Sequence, residues 1–362
     1  MSAFVPERRA AAARGLFTEA EYAQMRTFFA AHPDLGATPL RPLPAVARAL
    51  GLGSIAAKDE SGRFGLNAFK LLGARFAIET LLADGELRRG DTVICASEGN
   101  HGRAVARAAR EAGCHARVYM AHDVATARVE AISGEGAEVI TIDGSYDDAV
   151  RSLQADAARH GWPIVSDTSW EGYERIPRLI MLGYTRLAEE IRQRGTELGA
   201  PRVVFVQGGV GGLLCGVASY FAMHDPAVRV VCVEPTSAAC LQASARAGAP
   251  VAVTGPLATA MAGLRNREVS PLAFDAVRHI VDAFIAIDDV WTERAMRTLN
   301  NEGIRAGASG AATLGGLMAL CSEPAMAAVR DRIALNDASN AVVIVSEGVT
   351  DPKHWSAVVS GN

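Results

Sequence analysis

The sequence predicts an α/β fold of two open, mainly parallel sheets covered by helices. Apolar residues make up 49% of the 362 residues and charged residues 21%, which is enough apolar material for a large core. Short β-branched runs also alternate with segments of helical periodicity. This alternation indicates strand–helix–strand units, whose crossovers are right-handed and whose parallel strands are covered on both faces.

Each element is predicted from its local pattern. The buried strands are predicted at 92–96, 117–121, 138–142, 163–167, 203–207, 228–233 and 341–345. Helices are predicted between them at 67–83, 100–112, 146–160, 174–194, 212–223 and 237–246. The run 203–224 carries no formal charge but has several glycines in its middle, which favours a strand, a turn and a buried helix over a membrane span.

Composition narrows the function classes. The net charge of −4 gives no electrostatic footprint for nucleic acid. The six cysteines are scattered without a CxxC pair, and the eight histidines lack metal-ligand spacing, so we expect reduced thiols and no metal site. The first 17 residues show no apolar signal-peptide region. We therefore expect a soluble, cytoplasmic protein with a small-molecule substrate and no membrane partner.

Ligands of open α/β sheets bind where strands end and helices begin, so the strand-to-helix turns are the candidate sites. The first such turn contains, in order, Gly208, Gly209, Val210, Gly211 and Gly212. Its glycines allow a close backbone approach, and the following helix N-terminus favours a phosphate. A dinucleotide site stays open as an alternative, with Glu234 as ribose acceptor, and so does a tight packing turn.

The second turn follows the strand at 92–96. Ser97 is a candidate N-cap whose neighbouring N–H groups could hold a carboxylate. Glu98 could act as an acid or base if burial raises its pKa, and Asn100 offers a donor and an acceptor. An ordinary capped helix with a surface glutamate, and a packing role for His101, are the alternatives.

The third candidate is Lys70, one turn inside the predicted helix 67–83. The chain contains only three lysines, at 58, 70 and 353. Lys70 alone has apolar neighbours on both sides, Phe69 and Leu71. A desolvated amine loses its charge more easily and becomes a nucleophile. The alternative is a solvated surface lysine.

A nucleophilic lysine, a phosphate-binding glycine turn and a carboxylate-binding turn are what a pyridoxal phosphate (PLP) enzyme acting on amino acids needs. The chain resembles the fold-type II PLP enzymes and, within them, the diaminopropionate ammonia-lyase family. The resemblance spans about 39–353 and depends on the segments KDESGRFGLNAFKLLG, SEGNHGRAVARAA, SDTSWEGYERIP, VQGGVGG, VEP, MAGL, AGASG and VSEGVTDP.

The resemblance implies a role for each matching position. Lys70 would bind PLP covalently, and the glycine turn would bind its phosphate. Asn100 would hydrogen-bond its 3-oxygen, and Ser346 would face its ring nitrogen. Asp167 would hold or protonate the departing β-amino group. The substrate carboxylate would lie against the second turn, at Ser97, Gly99 and His101.

One position departs from the family. The family carries an aspartate where this chain has Glu98, and that aspartate is understood as the base for the D-isomer, with the lysine serving the L-isomer. An extra methylene displaces the carboxylate, and a misplacement near 1 Å costs on the order of a hundredfold in rate.

The resemblance therefore implies a PLP-dependent lyase that eliminates ammonia from 2,3-diaminopropionate and releases pyruvate. Because fold-type II PLP enzymes are commonly dimers, the resemblance also implies a homodimer. A larger, PLP-anchoring domain is expected at 1–88 with 178–362, and a smaller, mobile one at 89–177. The alternatives are a sister lyase acting on serine, threonine or hydroxyaspartate, and a noncatalytic nucleotide-binding or regulatory protein. The acid pair Glu98 and Asp167 favours a substrate with an ammonium substituent.

Overall fold

The computed structural model describes residues 1–7, 15–97, 99–122, 124 and 126–361. Its strands are β1 (Ser2–Phe4), β2 (Leu40–Pro42), β3 (Ser54–Asp59), β4 (Thr92–Ala96), β5 (His115–Ala121), β6 (Glu138–Ile142), β7 (Val203–Gln207), β8 (Arg229–Pro235), β9 (Ala283–Ile287) and β10 (Asn340–Val345). Its helices are α1 (Glu19–Ala31), α2 (Pro44–Leu50), α3 (Leu71–Ala83), α4 (Asn100–Glu111), α5 (Thr126–Ser133), α6 (Tyr146–His160), α7 (Arg175–Leu198), α8 (Gly212–His224), α9 (Cys240–Ala247), α10 (Pro271–Val277), α11 (Asp289–Asn301), α12 (Ala308–Ser322), α13 (Ala327–Arg332) and α14 (Pro352–Ser360).

The contacts divide the chain into two units. The large unit comprises Met1–Phe69 and Thr185–Asn362, and the small unit comprises Lys70–Tyr184. The predicted domains, 1–88 with 178–362 and 89–177, have other boundaries, and the mobility expected of the smaller one stays a prediction.

The large unit is built on a seven-stranded sheet in the order β1-β9-β8-β7-β10-β3-β2. The five central strands are parallel, and the short strands β1 and β2 pair antiparallel at the two edges. In register, Val343 of the central strand β10 lies opposite Ala57 and Phe205. Because the carboxyl ends of parallel strands lie on the same side of a sheet, the turns after β7, β8 and β10 lie together at that end of the strands.

The small unit contains the parallel sheet β4-β5-β6, with Cys95 opposite Val118. Helices α4, α5 and α6 follow its strands in the chain; α4 and α6 were predicted, whereas α5 was not. The predicted fold class, two mainly parallel sheets with covering helices, is confirmed.

Two predicted elements are wrong. The segment 163–167 is not a strand: only Ile164 makes an isolated bridge, to Ile94 of β4. This bridge has two backbone hydrogen bonds, from the Ile94 N–H to the Pro163 carbonyl oxygen at 3.1 Å and from the Val165 N–H to the Ile94 carbonyl oxygen at 2.8 Å. Side chains bind other backbone groups of 164–166. The helix predicted at 67–83 begins at Leu71, because Asn67 has a φ of 58°, outside the helical region.

The core of the large unit lies between the sheet and the helices packed on it. Val343 and Phe205 are fully buried, as are Leu314 and Leu317 of α12.

Among the described residues, no single helix has the length and apolar composition needed to cross a membrane; Ala308–Ser322 and Pro324–Arg332 pass that test only together, across a bend of 96°.

Candidate active site

Lys70 lies at the N-cap of α3, and its side chain contacts a carboxylate. Its Nζ is 2.5 Å from Oδ2 of Asp167. The Lys70 side chain is 23% exposed and that of Asp167 is 18% exposed. Both side chains are therefore largely shielded from solvent but remain accessible to a small molecule. Lys70 therefore occupies the position just before the first helical residue, without a side-chain capping bond, and does not lie one turn inside the helix as was predicted. The predicted apolar setting is confirmed, since Phe69 and Leu71 are buried.

The environment of Asp167 favours its charged form. Burial raises the pKa of the carboxyl, but its electrostatic interactions with His101 and Lys70 and the hydrogen bond from Lys70 outweigh this effect. The net result is a pKa well below the ordinary range of aspartate. Asp167 is therefore a carboxylate at neutral pH and is suited to hold an ammonium group.

Close packing of α3 on α7 brings an aromatic ring to the lysine. A Cβ atom added at Gly73 would lie 2.6 Å from the Ile180 carbonyl oxygen, and one at Gly183 would lie 2.6 Å from the Leu72 carbonyl oxygen. With glycine at both positions the two helices touch through their backbones. The Tyr184 ring then lies with its centroid 5.7 Å from Lys70 Nζ, within range of a cation–π contact.

The turn after β4 is organised by Ser97. The N-cap of α4 is Gly99. Ser97, which was predicted as the N-cap, lies two residues earlier and binds the turn through its side chain. Its hydroxyl accepts hydrogen bonds from the N–H groups of Gly99, at 3.3 Å, and Gly102, at 3.0 Å. Asn100 and His101 are the first two residues of the helix. Glu98 lies outside the described residues.

Two side chains of the small unit fix the backbone that leads to Asp167. Nε2 of the buried His101 lies 2.8 Å from the Val165 carbonyl oxygen and donates to it. The Tyr173 hydroxyl donates to the Ile164 carbonyl oxygen at 2.7 Å and accepts from the Ser166 N–H at 3.0 Å. These side-chain bonds add to the single backbone bridge with Ile94, so the segment is held without forming the strand that the sequence predicted. Tyr173 was not among the predicted site residues; its only signal in the sequence is its place in the SDTSWEGYERIP segment.

The glycine turn lies in the large unit, between β7 and α8. A Cβ atom at Gly208 would lie 2.5 Å from Cγ of Glu234. Gly209 and Gly211 have φ values of 65° and 104°, which favour glycine. Gly212 starts α8, so the unpaired N–H groups of the first helical turn point out of this end of the helix. The predicted turn between a strand and a helix is confirmed, and its shape suits an anion.

Glu234 is fully buried and accepts hydrogen bonds from the N–H groups of Leu241, at 2.9 Å, and Gln242, at 2.8 Å. Both groups belong to the first turn of α9, so the carboxyl points into that helix and is not placed for a ribose. The dinucleotide interpretation is therefore wrong. Burial raises the pKa of Glu234 to about 8, although the two N–H donors oppose the rise.

This shift gives stability a definite pH dependence. In the unfolded chain the carboxyl loses its proton near 4.5. Between that pH and about 8, the folded state binds a proton that the unfolded state has lost, so stability falls as pH rises, by at most about 1.4 kcal/mol per pH unit. We expect the difference in urea-unfolding midpoint between wild type and Glu234→Gln to change between pH 6 and pH 8. A constant difference would contradict the shift.

Ser346 follows directly after β10 and is buried. Its carbonyl oxygen accepts the N–H of Phe69 at 3.4 Å, and Ala68 bridges the next residue, Glu347. The start of α12 packs on the same turn, since a Cβ atom at Gly310 would lie 2.1 Å from the Glu347 carbonyl oxygen. The predicted placement of Ser346 in a strand-end turn is confirmed.

A cluster of four buried charges anchors the segment that precedes Lys70. Lys58, Glu60, Arg63 and Glu190 are each at most 2% exposed. Glu190 accepts hydrogen bonds from Lys58, at 2.6 Å, and from Arg63. Burial raises the pKa of Glu60, but the charges of Arg63 and Lys58 outweigh this effect and lower it. The cluster has no net charge, and Arg63 ties the turn leading toward Lys70 to α7.

In the portion of the chain that the structure describes, no group of three or more His, Cys, Asp or Glu side chains is placed to hold a metal ion. All six cysteines are free of disulfides.

Comparison with known proteins identifies related sequences along nearly the whole chain. Residues 32–346 match the family model "Pyridoxal-phosphate dependent enzyme". The diaminopropionate ammonia-lyase of Escherichia coli (strain K12) is 38% identical over 367 residues, covering 95% of this chain and 92% of that protein. A biosynthetic L-threonine dehydratase of Haemophilus influenzae is 30% identical, but the match covers only 70% of this chain and 47% of that protein.

The fold agrees with these matches. A crystal structure of the holo diaminopropionate ammonia lyase from Escherichia coli superposes with a TM-score of 0.91 at 36% sequence identity. The superposition covers 100% of this chain and 97% of that one.

Proposed function

Because the chain belongs to the diaminopropionate ammonia-lyase family of pyridoxal-phosphate-dependent enzymes, we propose that it converts 2,3-diaminopropionate and water into pyruvate and two molecules of ammonia. The observation that carries this proposal is the contact of 2.5 Å between Lys70 Nζ and Asp167 Oδ2. It places an amine, which can take a Cα proton when it is uncharged, beside a carboxylate able to hold a β-ammonium group.

The residues present fit PLP. The glycine turn at 208–212 has positive φ values at Gly209 and Gly211, a backbone shape that favours glycine and lets the backbone N–H groups approach a phosphate at the N-terminus of α8. When bound, PLP supplies an aldehyde that captures amines and a ring that stabilises negative charge on the carbon losing a proton. Gly208, Gly209, Val210, Gly211 and Gly212 would hold the phosphate, and Lys70 Nζ would bind the aldehyde carbon.

Two further residues are proposed to orient the ring. Asn100, at the start of α4, would hydrogen-bond the 3-oxygen. Ser346 would face the ring nitrogen, and its neutral hydroxyl would leave that nitrogen without a proton. An unprotonated ring withdraws electrons less strongly, which favours elimination over transamination.

The substrate is proposed to bind through its charged groups. Ser97, Gly99 and His101 belong to the turn at the N-terminus of α4, where the helix dipole and backbone N–H groups attract the carboxylate. Asp167 would hold the β-ammonium group, which a hydroxyl substituent would not require. Lys70 Nζ would accept the Cα proton of the L-isomer, and Glu98 would serve the D-isomer.

The test is pyruvate release from D- and L-2,3-diaminopropionate supplied separately to the PLP-loaded enzyme, with L-serine and L-threonine as controls. We expect release from diaminopropionate to exceed release from either hydroxy amino acid. The D-to-L ratio measures what the longer side chain of Glu98 does to the second base. Bound PLP without pyruvate from either isomer would overturn the assignment.

A homodimer in the cytoplasm is part of the same proposal. Light scattering after size-exclusion chromatography would give the subunit number, and cell fractionation would give the location. A monomer, or an enzyme recovered with membranes, would contradict this part.

A further inference from the structure

The Tyr173 hydroxyl links the segment 164–166 to a small hairpin, 170–173, that follows Asp167. Trp170 and Tyr173 exchange two backbone hydrogen bonds, at 3.3 Å and 2.9 Å. Their rings stack with centroids 4.0 Å apart and planes inclined by 15°. Trp170 is 37% exposed and covers one face of the tyrosine ring, so the ring has little freedom to rotate.

The hydroxyl at the end of this fixed ring bonds two backbone groups at once. It donates to the Ile164 carbonyl oxygen and accepts from the Ser166 N–H, so its one proton and one lone pair are both used. Ser166 immediately precedes Asp167. Since 163–167 is not a strand, Tyr173 supplies on this side the hydrogen bonds that a neighbouring strand would otherwise make.

We propose that Tyr173 is a positioning residue that holds the Asp167 carboxylate in register with Lys70 Nζ. The inference rests on the proposed function for its catalytic consequence. Tyr173 touches neither the reacting atoms nor Lys70; it acts through the backbone of 164–166. Its partner in this task is His101, which holds the Val165 carbonyl oxygen between the two groups that Tyr173 binds.

The physical reason is the short range of the Lys70–Asp167 contact. Freeing the Ile164 and Ser166 backbone groups lets the segment shift by a fraction of an ångström. Misplacement near 1 Å costs on the order of a hundredfold in rate, so a smaller shift gives a smaller loss. The ion pair itself remains, because both charged side chains remain.

Tyr173→Phe tests this, since it removes one oxygen and keeps the stacked ring. The matched control is Tyr119→Phe in the same unit, which also loses a hydroxyl hydrogen bond, here to Oδ2 of Asp156 at 2.6 Å. Hydrogen exchange of the PLP-loaded enzyme without substrate is the first readout. We expect amides in 164–167 to exchange about fivefold to tenfold faster in Tyr173→Phe and at the wild-type rate in Tyr119→Phe.

Kinetics provide the second readout. With diaminopropionate, we expect Tyr173→Phe to lower kcat about tenfold while KM changes by less than roughly twofold, because the Asp167 charge that holds the β-ammonium group remains and the backbone N–H groups at the start of α4 remain. In an Asp167→Asn background, Tyr173→Phe should lower kcat by less than about twofold further, since residues acting through one group are not additive.

Unchanged exchange in 164–167 would overturn the inference, as would an equal loss of kcat with and without the Asp167 carboxylate. An equal loss in Tyr119→Phe would show a general effect on the unit and would also overturn it. If neither isomer of diaminopropionate is turned over, the proposed function fails. The exchange rates then decide by themselves whether Tyr173 holds the segment.

Discussion

Lys70→Ala is expected to lower kcat for diaminopropionate by at least about a thousandfold, because it removes both the covalent attachment of PLP and a catalytic base. No other lysine can substitute for it. Lys58 is buried and bound to Glu190, and Lys353 is exposed near the start of α14. Borohydride reduction should attach pyridoxyl phosphate to the wild-type chain and not to the variant. A mass measurement of each chain detects the difference.

The matched control is Lys353→Ala, which should keep wild-type kcat and the same mass increase after reduction. Covalent addition to Lys70→Ala at another lysine would contradict the assignment, as would kcat within tenfold of wild type. Unlike the pyruvate assay, the mass measurement does not depend on which substrate is correct.

Glu190→Gln is expected to lower the free energy of unfolding by about 3–5 kcal/mol, the cost of leaving a buried charge without its partner. The variant keeps the shape of the side chain but leaves Lys58 and Arg63 facing only one carboxylate, Glu60. The destabilisation can be measured as the shift in the midpoint of urea unfolding. We expect the loss of stability to be the main effect of this variant, with only a smaller change in the activity of the molecules that remain folded.

An exposed ion pair of the same unit provides the comparison. Glu19 pairs with Arg26 at 2.6 Å, but its side chain is 60% exposed, so Glu19→Gln should cost at most about 1 kcal/mol. If Glu190→Gln were no more destabilising than Glu19→Gln, the buried cluster would not be the anchor described above.

Elements with strong periodicity could be predicted from the sequence. The strands at 92–96, 138–142 and 203–207 and the helix at 146–160 have the bounds that were predicted. The short edge strands β1 and β2 have three residues each, too few for an alternating pattern. Strand β9, with five apolar residues in sequence, and helix α12, buried nearly all round, lack the polar positions that reveal a period.

The local setting of each site residue could be predicted, but the contacts between residues distant in the chain could not. The apolar neighbours of Lys70 and the glycine turn are visible as sequence. The Lys70–Asp167 contact joins residues 97 positions apart, and only the resemblance suggested a role for Asp167. The helix start at Leu71 was missed because nothing local indicates the positive φ of Asn67.

The two facing glycines of α3 and α7 also constrain how this protein can evolve. A methyl group at Gly73 or at Gly183 would overlap backbone atoms of the opposite helix, and backbone cannot be exchanged for something smaller. No single substitution elsewhere can therefore open space for alanine at either position. Substitution of these two glycines is therefore prevented by the geometry of the helix crossing alone. Descendants that change substrate preference should still keep both glycines, and their retention in a relative would not by itself indicate a shared reaction.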